Sequence, residues 1–140
     1  MPKARSAAEK AIGIDPSLAE AHTALAYVSA FYEWNWEKAK RQFLKALVLN
    51  PSCARTHYHY SMYLAWVELD GEEAFKSAKK AVELEPLLSI SHSIFSAMLL
   101  GTRQMEEALK ESNTAVDLDS SSFVSFWFLG ISLMGLAAIQ

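Results

Sequence analysis

Cysteine is nearly absent. Cys53 stands alone in 140 residues, so no intrachain disulfide can form. That fits a reducing compartment, and the cytoplasm is the expected location. Glycine and proline are scarce too, at five and four residues. So few turn formers cannot separate many strands, and an all-α chain is expected. Charge of one sign is also missing. Thirteen Lys and Arg face sixteen Asp and Glu, and the two signs are interspersed. No basic patch exists to neutralise phosphates, so nucleic-acid binding by this segment is excluded. The N-terminal stretch MPKARSAAEKA has no apolar core, so no secretory signal is expected.

The signatures of catalysis are missing as well. The glycines are isolated and form no phosphate loop, and there is no HExxH, CxxC or GxSxG. Neither an enzyme nor a cofactor is expected. His57 and His59 stand two apart, which on a helix points them to different sides, so no metal is expected either. Cys53 has no basic neighbour closer than Arg55 and reads as a small apolar filler, not a reactive thiolate.

What is present is a repeat. Residues 10–16 read KAIGIDP, 45–51 KALVLNP, 80–86 KAVELEP and 114–120 TAVDLDS, with starts separated by 35, 35 and 34 residues. A fixed period of this size marks a stacked array of supersecondary units. Half of the residues are hydrophobic (51%), enough for a core. Ala39, Phe43, Ala46 and Leu47 form an apolar stripe on a helix that Pro51 stops. Each unit is therefore a helix A, a tight turn, a helix B and a proline-marked turn. The expected A helices cover about 18–33, 53–68, 88–101 and from 121, and the B helices about 3–14, 37–49, 72–84 and 104–117. Turns between A and B fall near 34–36, 69–71 and 102–103. This divides the chain into a half-repeat 1–16, repeats 17–51, 52–86 and 87–120, and a half-repeat 121–140. An array with half a unit at each end is expected to be a piece of a larger protein.

Small residues recur where helices must approach: Ala39, Ala74 and Ala108; Ala11, Ala46, Ala81 and Ala115; Ala26, Ser61, Ser96 and Gly130. Leu25, Tyr60, Phe95 and Leu129 recur beside the last set as core fillers. The first two units carry one extra residue, assigned to the A–B turn because inside a helix it would rotate the stripe by about 100°. Glu37–Arg41, Glu72–Lys76 and Glu106–Lys110 are spaced as i, i+4 ion pairs on a solvated B face.

This pattern resembles the tetratricopeptide repeat (TPR) family over essentially the whole chain. Its marks are Leu129-Gly130, Leu25-Ala26, the alanines above, Phe43, and Pro16, Pro51 and Pro86. Departures are His22, His57 and His92 where the family often has Trp, and Ser120 where Pro is expected. The histidines read as packing between units. The resemblance implies a right-handed α-solenoid of about eight helices that works as a protein-interaction scaffold. A narrower likeness, carried by YEWNWEKAKRQFLKALVLNPSCARTHYHYSMYL at 32–64, is to arrays at the C-terminal end of bacterial regulatory proteins of winged-helix, adenylate-cyclase or kinase type.

In TPR-like arrays the A helices line a concave groove. Carried over by register, the groove holds Glu20, Thr23, Tyr27, Ala30 and Phe31 from the first unit. The second gives Arg55, Tyr58, His59, Met62, Ala65 and Trp66. The third gives Ile90, Ser93, Ile94, Ala97 and Leu100. The fourth gives Val124, Trp127, Phe128 and Ile131. The expected contacts are Tyr27, Phe31, Arg55, Tyr58, His59, Met62, Trp66, Ile94 and Trp127, and the expected partner is an apolar or amphipathic peptide. Relatives that grip a C-terminal carboxylate use Lys, Asn and Arg at these places. Thr23, Tyr27, His59, Ile90 and Ile94 cannot form that clamp. The alternatives are a groove covered by the parent's own chain, and a small-molecule sensor.

The last apolar run, residues 123–139, has no charge in seventeen residues. It is at the short edge of a membrane span, lacks flanking Lys or Arg, and falls in register with the repeat, so it reads as a packed helix and not a span. It is apolar nearly all round, whereas an array end should have a polar outer face. Phe126, Phe128, Leu133 and Leu136 are therefore expected to drive a two-fold homodimer.

Overall fold

Every helix stops where the sequence supplies a specific turn. The computed structural model describes residues 2–139. Eight helices run in order: α1 (Pro2–Ile14), α2 (Ala19–Phe31), α3 (Trp36–Leu49), α4 (Ala54–Tyr63), α5 (Gly71–Leu84), α6 (Ser89–Gly101), α7 (Met105–Leu118) and α8 (Phe123–Ile139). No strand occurs among the described residues.

Three of the four turns after B helices share one device. The side chains of Asp15, Asn50 and Asp119 each accept the backbone N–H two residues on, at 3.0 Å. These are Asx turns, in which a short side chain mimics the next piece of backbone. Ser17 and Ser121 add hydroxyl donors at 2.6 Å. Together these bonds hold the Asp15 and Asp119 carboxyls below the ordinary carboxylate range. This explains how α7 ends without a proline, with Asp119 doing what Pro51 does in α3. The histidines complete the turn. Nε2 of His22, His57 and His92 lies 2.8, 2.8 and 2.7 Å from the carbonyls of Pro16, Pro51 and Pro86. Each ring ties an A helix to the turn before it, a bond that the reading as packing filler leaves out.

The A–B turns pass through the left-handed region at Trp34, Leu69 and Arg103, with φ of 56°, 56° and 60°. The extra residue of the first two units is accommodated differently in each. In the third unit the Gln104 N–H reaches back five residues to Leu99 O (2.9 Å). In the first two, Asn35 and Asp70 reach back six, to Ser29 O (2.8 Å) and Leu64 O (2.9 Å). After α4 the added residue is absorbed as a π-helical turn, Leu64–Glu68. After α2 it lengthens the turn itself, with four residues between Phe31 and Trp36 against three between Gly101 and Met105, so the expected loop insertion holds in the first unit and is corrected only in the second. The stripe upstream keeps its face because the widening comes only at the helix end.

Helices α2, α4 and α6 pack on α3, α5 and α7, and the A helices α2, α4, α6 and α8 lie side by side in succession. That leaves the A helices as one layer and the B helices as the other, as in an α-solenoid. Ala39, Ala74, Ala108, Ala46, Ala81 and Ala115 are all wholly buried, and so are Ala26, Ser61 and Ser96. Gly130 breaks the series: a Cβ there would meet nothing within 4 Å. The close approach falls instead at Ser132, whose hydroxyl lies 3.1 Å from that of Ser112, and at Gly135, where a Cβ would stand 2.9 Å from Met105 Sδ. Phe43 and Tyr63 are the largest side chains buried outright. The Tyr63 hydroxyl donates to Glu68 Oε1 at 2.6 Å, and Lys40 Nζ approaches the same oxygen at 3.3 Å. The π turn is thus tied to α3. On the surface Glu72–Lys76 forms at 2.9 Å. Glu37–Arg41 and Glu106–Lys110 do not pair among the described residues.

Candidate binding groove

The concave layer encloses an apolar groove of about 440 Å3. It draws on four elements: Tyr27 from α2, Tyr58, His59, Met62 and Trp66 from α4 and its π turn, Ile90 and Ile94 from α6, and Phe123, Val124, Trp127 and Phe128 from α8. No Asp, Glu, Lys or Arg contributes to this lining.

Floor and walls differ. Tyr58 and Ile94 are buried and form the floor. Trp66, Trp127 and Phe123 are 59%, 57% and 76% exposed and form the walls. Phe31 closes one end, its ring 5.0 Å from Tyr27 and edge-on to Trp66 at 5.8 Å. Arg55 is exposed and outside the lining, but its charge acts on both Tyr58 and His59.

His59 is packed between aromatic rings, with centroids 4.3 Å from Tyr58 and 4.7 Å from Tyr27. Burial holds its pKa down to about 4, and repulsion from Arg55 adds to this, so the ring is neutral near pH 7. Its Nδ1 is buried without a partner. Burial also pushes the Tyr27 and Tyr58 phenols above their ordinary value. The groove therefore offers ring faces, methyl groups and one neutral imidazole.

Of the groove residues expected from register, Thr23, Ala30 and Ser93 sit between helices instead. The Thr23 hydroxyl lies 2.7 Å from that of Thr56 in the next A helix. Phe128, expected both in the groove and in the self-association surface, is half-buried in the groove wall, while Phe126 and Leu133 are exposed and Leu136 is half-buried. Phe123 was missed because the register carried to α8 starts at Val124. Its pairing with Trp127, four residues on and 6.0 Å away, is the signal that could have found it.

A wider cleft of about 620 Å3 lies at the other layer, between α5 and the turn after α6. Phe75 is the one ring in its lining, and its Lys76 is engaged by Glu72 and Glu73. Among the described residues no group of three or more His, Cys, Asp or Glu comes together as a metal site. No helix among them is long and apolar enough to cross a membrane.

Solved structures share this architecture. The first TPR domain of human RPAP3 superposes with a TM-score of 0.77 at 17% identity, over 88% of this chain and 95% of that one. The fold is that of a TPR domain. The first TPR of Spaghetti (RPAP3), bound to the HSP90 peptide SRMEEVD, gives a TM-score of 0.74 at 17% identity, over 85% of this chain and 93% of that one. YrrB, a TPR protein with an unusual peptide-binding site, gives 0.66 at 24% identity, over 94% of this chain and 66% of that one. No protein-family model matches the sequence, and no curated protein matches it. The TPR fold accounts for the short A–B turns and for the alanines at each crossing.

Proposed function

We propose that this TPR domain is a binding module that takes an apolar or amphipathic segment of another protein in its concave groove. The observation that carries this is the open tryptophan pair, Trp66 and Trp127, facing a groove without a charged lining residue. Aromatic anchors in a desolvated pocket supply most of the energy of such interfaces, and an amphipathic helix or extended strand presents the matching face. Two TPR neighbours are peptide-binding proteins by description. The acidic HSP90 segment held by Spaghetti is a poor fit here, since Thr23, Tyr27, His59, Ile90 and Ile94 supply no cationic clamp.

Titration with a synthetic amphipathic leucine–lysine helix, followed by calorimetry, tests the reading. Trp66→Ala with Trp127→Ala should weaken binding at least about tenfold while the helical circular dichroism stays unchanged. Retained affinity places the binding surface elsewhere. A second reading has its own support: the outer face of α8 exposes Phe126 and Leu133, a surface suited to self-association. A place within a bacterial regulatory protein rests on the stretch 32–64. A cytoplasmic location rests on the lone, buried Cys53.

A further inference from the structure

The polar groups of the groove include the His59 imidazole and the hydroxyls of Tyr27 and Tyr58. His59 lines it, packed at 4.3 Å and 4.7 Å between the rings of Tyr58 and Tyr27. Its two ring nitrogens are placed differently. Nδ1 is buried with no partner, whereas Nε2 is neither bonded within the chain nor among the buried unpartnered atoms. A neutral imidazole carries one N–H and one lone pair. A buried N–H without an acceptor costs more than a buried lone pair without a donor, and orphaned N–H groups are the rarer of the two. The favoured tautomer therefore keeps the lone pair on Nδ1 and the proton on Nε2, at the groove side.

We propose that His59 is the specificity-determining residue of the groove. Its Nε2–H donates one hydrogen bond to an uncharged acceptor, a carbonyl or hydroxyl oxygen, set in the apolar face of the bound segment. This rests on the groove reading above and narrows it: the partner is an apolar helix or strand with one neutral polar residue at its centre, not a uniformly apolar one and not an acidic one. A site built to make a hydrogen bond discriminates against a ligand that leaves its donor buried and unpaired. A carboxylate could also accept from the Nε2–H, but it would bury its charge in a groove with no cationic lining residue. The titratable groups facing His59 are Tyr27 on α2, and Tyr58 and Arg55 on its own helix. Neither phenol titrates near neutrality, because burial raises both. From α6 and α8 only Ile90, Ile94 and uncharged aromatic or aliphatic side chains line the groove. Recognition should therefore not change between about pH 5.5 and about pH 8.

The test uses three amphipathic leucine–lysine peptides, alike except for Leu, Asn or Glu at the centre of the apolar face. Wild type should prefer the Asn peptide over the Leu peptide by roughly fivefold to tenfold, with the same preference at both pH values. His59→Phe, which keeps a ring and loses the donor, should abolish the preference, and His59→Gln should retain part of it. Long-range proton–nitrogen NMR of the wild type should show a neutral ring protonated on Nε2, with Nε2 shifting on addition of the Asn peptide. If no peptide binds, the groove reading fails and this proposal with it. If the peptides bind but His59→Phe discriminates as wild type does, the groove reading stands and the role of His59 is overturned. Preference for the Glu peptide that grows towards pH 5.5 also overturns it. So does an Nδ1-protonated ring.

Discussion

His92 holds both ring nitrogens against acceptors: Glu111 Oε2 at 2.6 Å and Pro86 O at 2.7 Å. Only the imidazolium can donate to both at once. The hydrogen bond that His92 donates to Glu111 accordingly raises the His92 pKa above its ordinary value, against the opposing effect of burial. A group whose folded pKa is raised contributes stability that is complete below the unfolded value, about 6.5, and is lost as pH rises through the folded value. We therefore expect the urea midpoint of the wild type to fall between about pH 6 and about pH 8 by an amount that Glu111→Gln removes. Equal pH slopes for the two proteins would show that the pair carries no linkage. His22 occupies the same place in its own unit but meets Gln42, a neutral partner, at 2.6 Å. The two positions share the proline-carbonyl bond and differ only in what faces Nδ1. His59 is a third kind of histidine, neutral because nothing charged and favourable reaches it. Sequence equivalence alone groups His22, His57 and His92, but the partners that decide their chemistry come from the neighbouring helix.

At the scale of helices, the alanine crossings decide stability. Ala81 on α5 is wholly buried, and the equivalent Ala46 and Ala115 are buried in the same way. A leucine there must push α5 off its neighbours, so Ala81→Leu should lower the unfolding free energy by roughly 1–3 kcal/mol, read from chemical denaturation. An unchanged midpoint would mean that the crossing has room. This class of contact was legible in the sequence, because a small residue repeated at the unit period has no other reason to recur. The helix bounds were legible to within two or so residues for the same reason: proline and the Asp/Asn turns punctuate them. The fate of the extra residue was legible after α2, where it lengthens the turn, and not after α4. A period of 35 announces it, but a loop insertion and a π turn differ only in which carbonyl an N–H reaches. At Leu64–Glu68 the wide turn carries Glu68 to Tyr63 and to Lys40 on α3, the latter a tertiary contact that no local pattern encodes. The groove shows the same division. Tyr27, Met62, Trp66 and Trp127 follow from register. The burial of Tyr58 and Ile94 and the entry of Phe123 depend on how far α8 leans across, which the period does not fix.

For the molecule as a whole, α8 is the unbalanced part. It packs on α6 and α7 and gives its Trp127 side to the groove. The other side leaves Phe126 49% and Leu133 52% exposed, and Met134 and Ile139 are 66% and 68% exposed further along the helix. A single helix buries an apolar stripe of little more than 100° against its neighbours, and α8 has no charged residue in its seventeen to make the remainder soluble. The two surfaces are distinct, so occupancy of one need not block the other. Self-association through the outer face then predicts a concentration-dependent sedimentation coefficient at tens of micromolar, approaching a two-fold dimer. Phe126→Glu with Leu133→Glu should return the chain to monomer without loss of helical signal, because both side chains are about half exposed and neither fills a core. The same double variant should keep its affinity for a groove peptide, whereas Trp66→Ala should keep the dimer. A wild type that sediments as a monomer throughout, or a double variant that still dimerises, removes α8 as the self-association surface and leaves the groove as the one apolar surface with an assigned role.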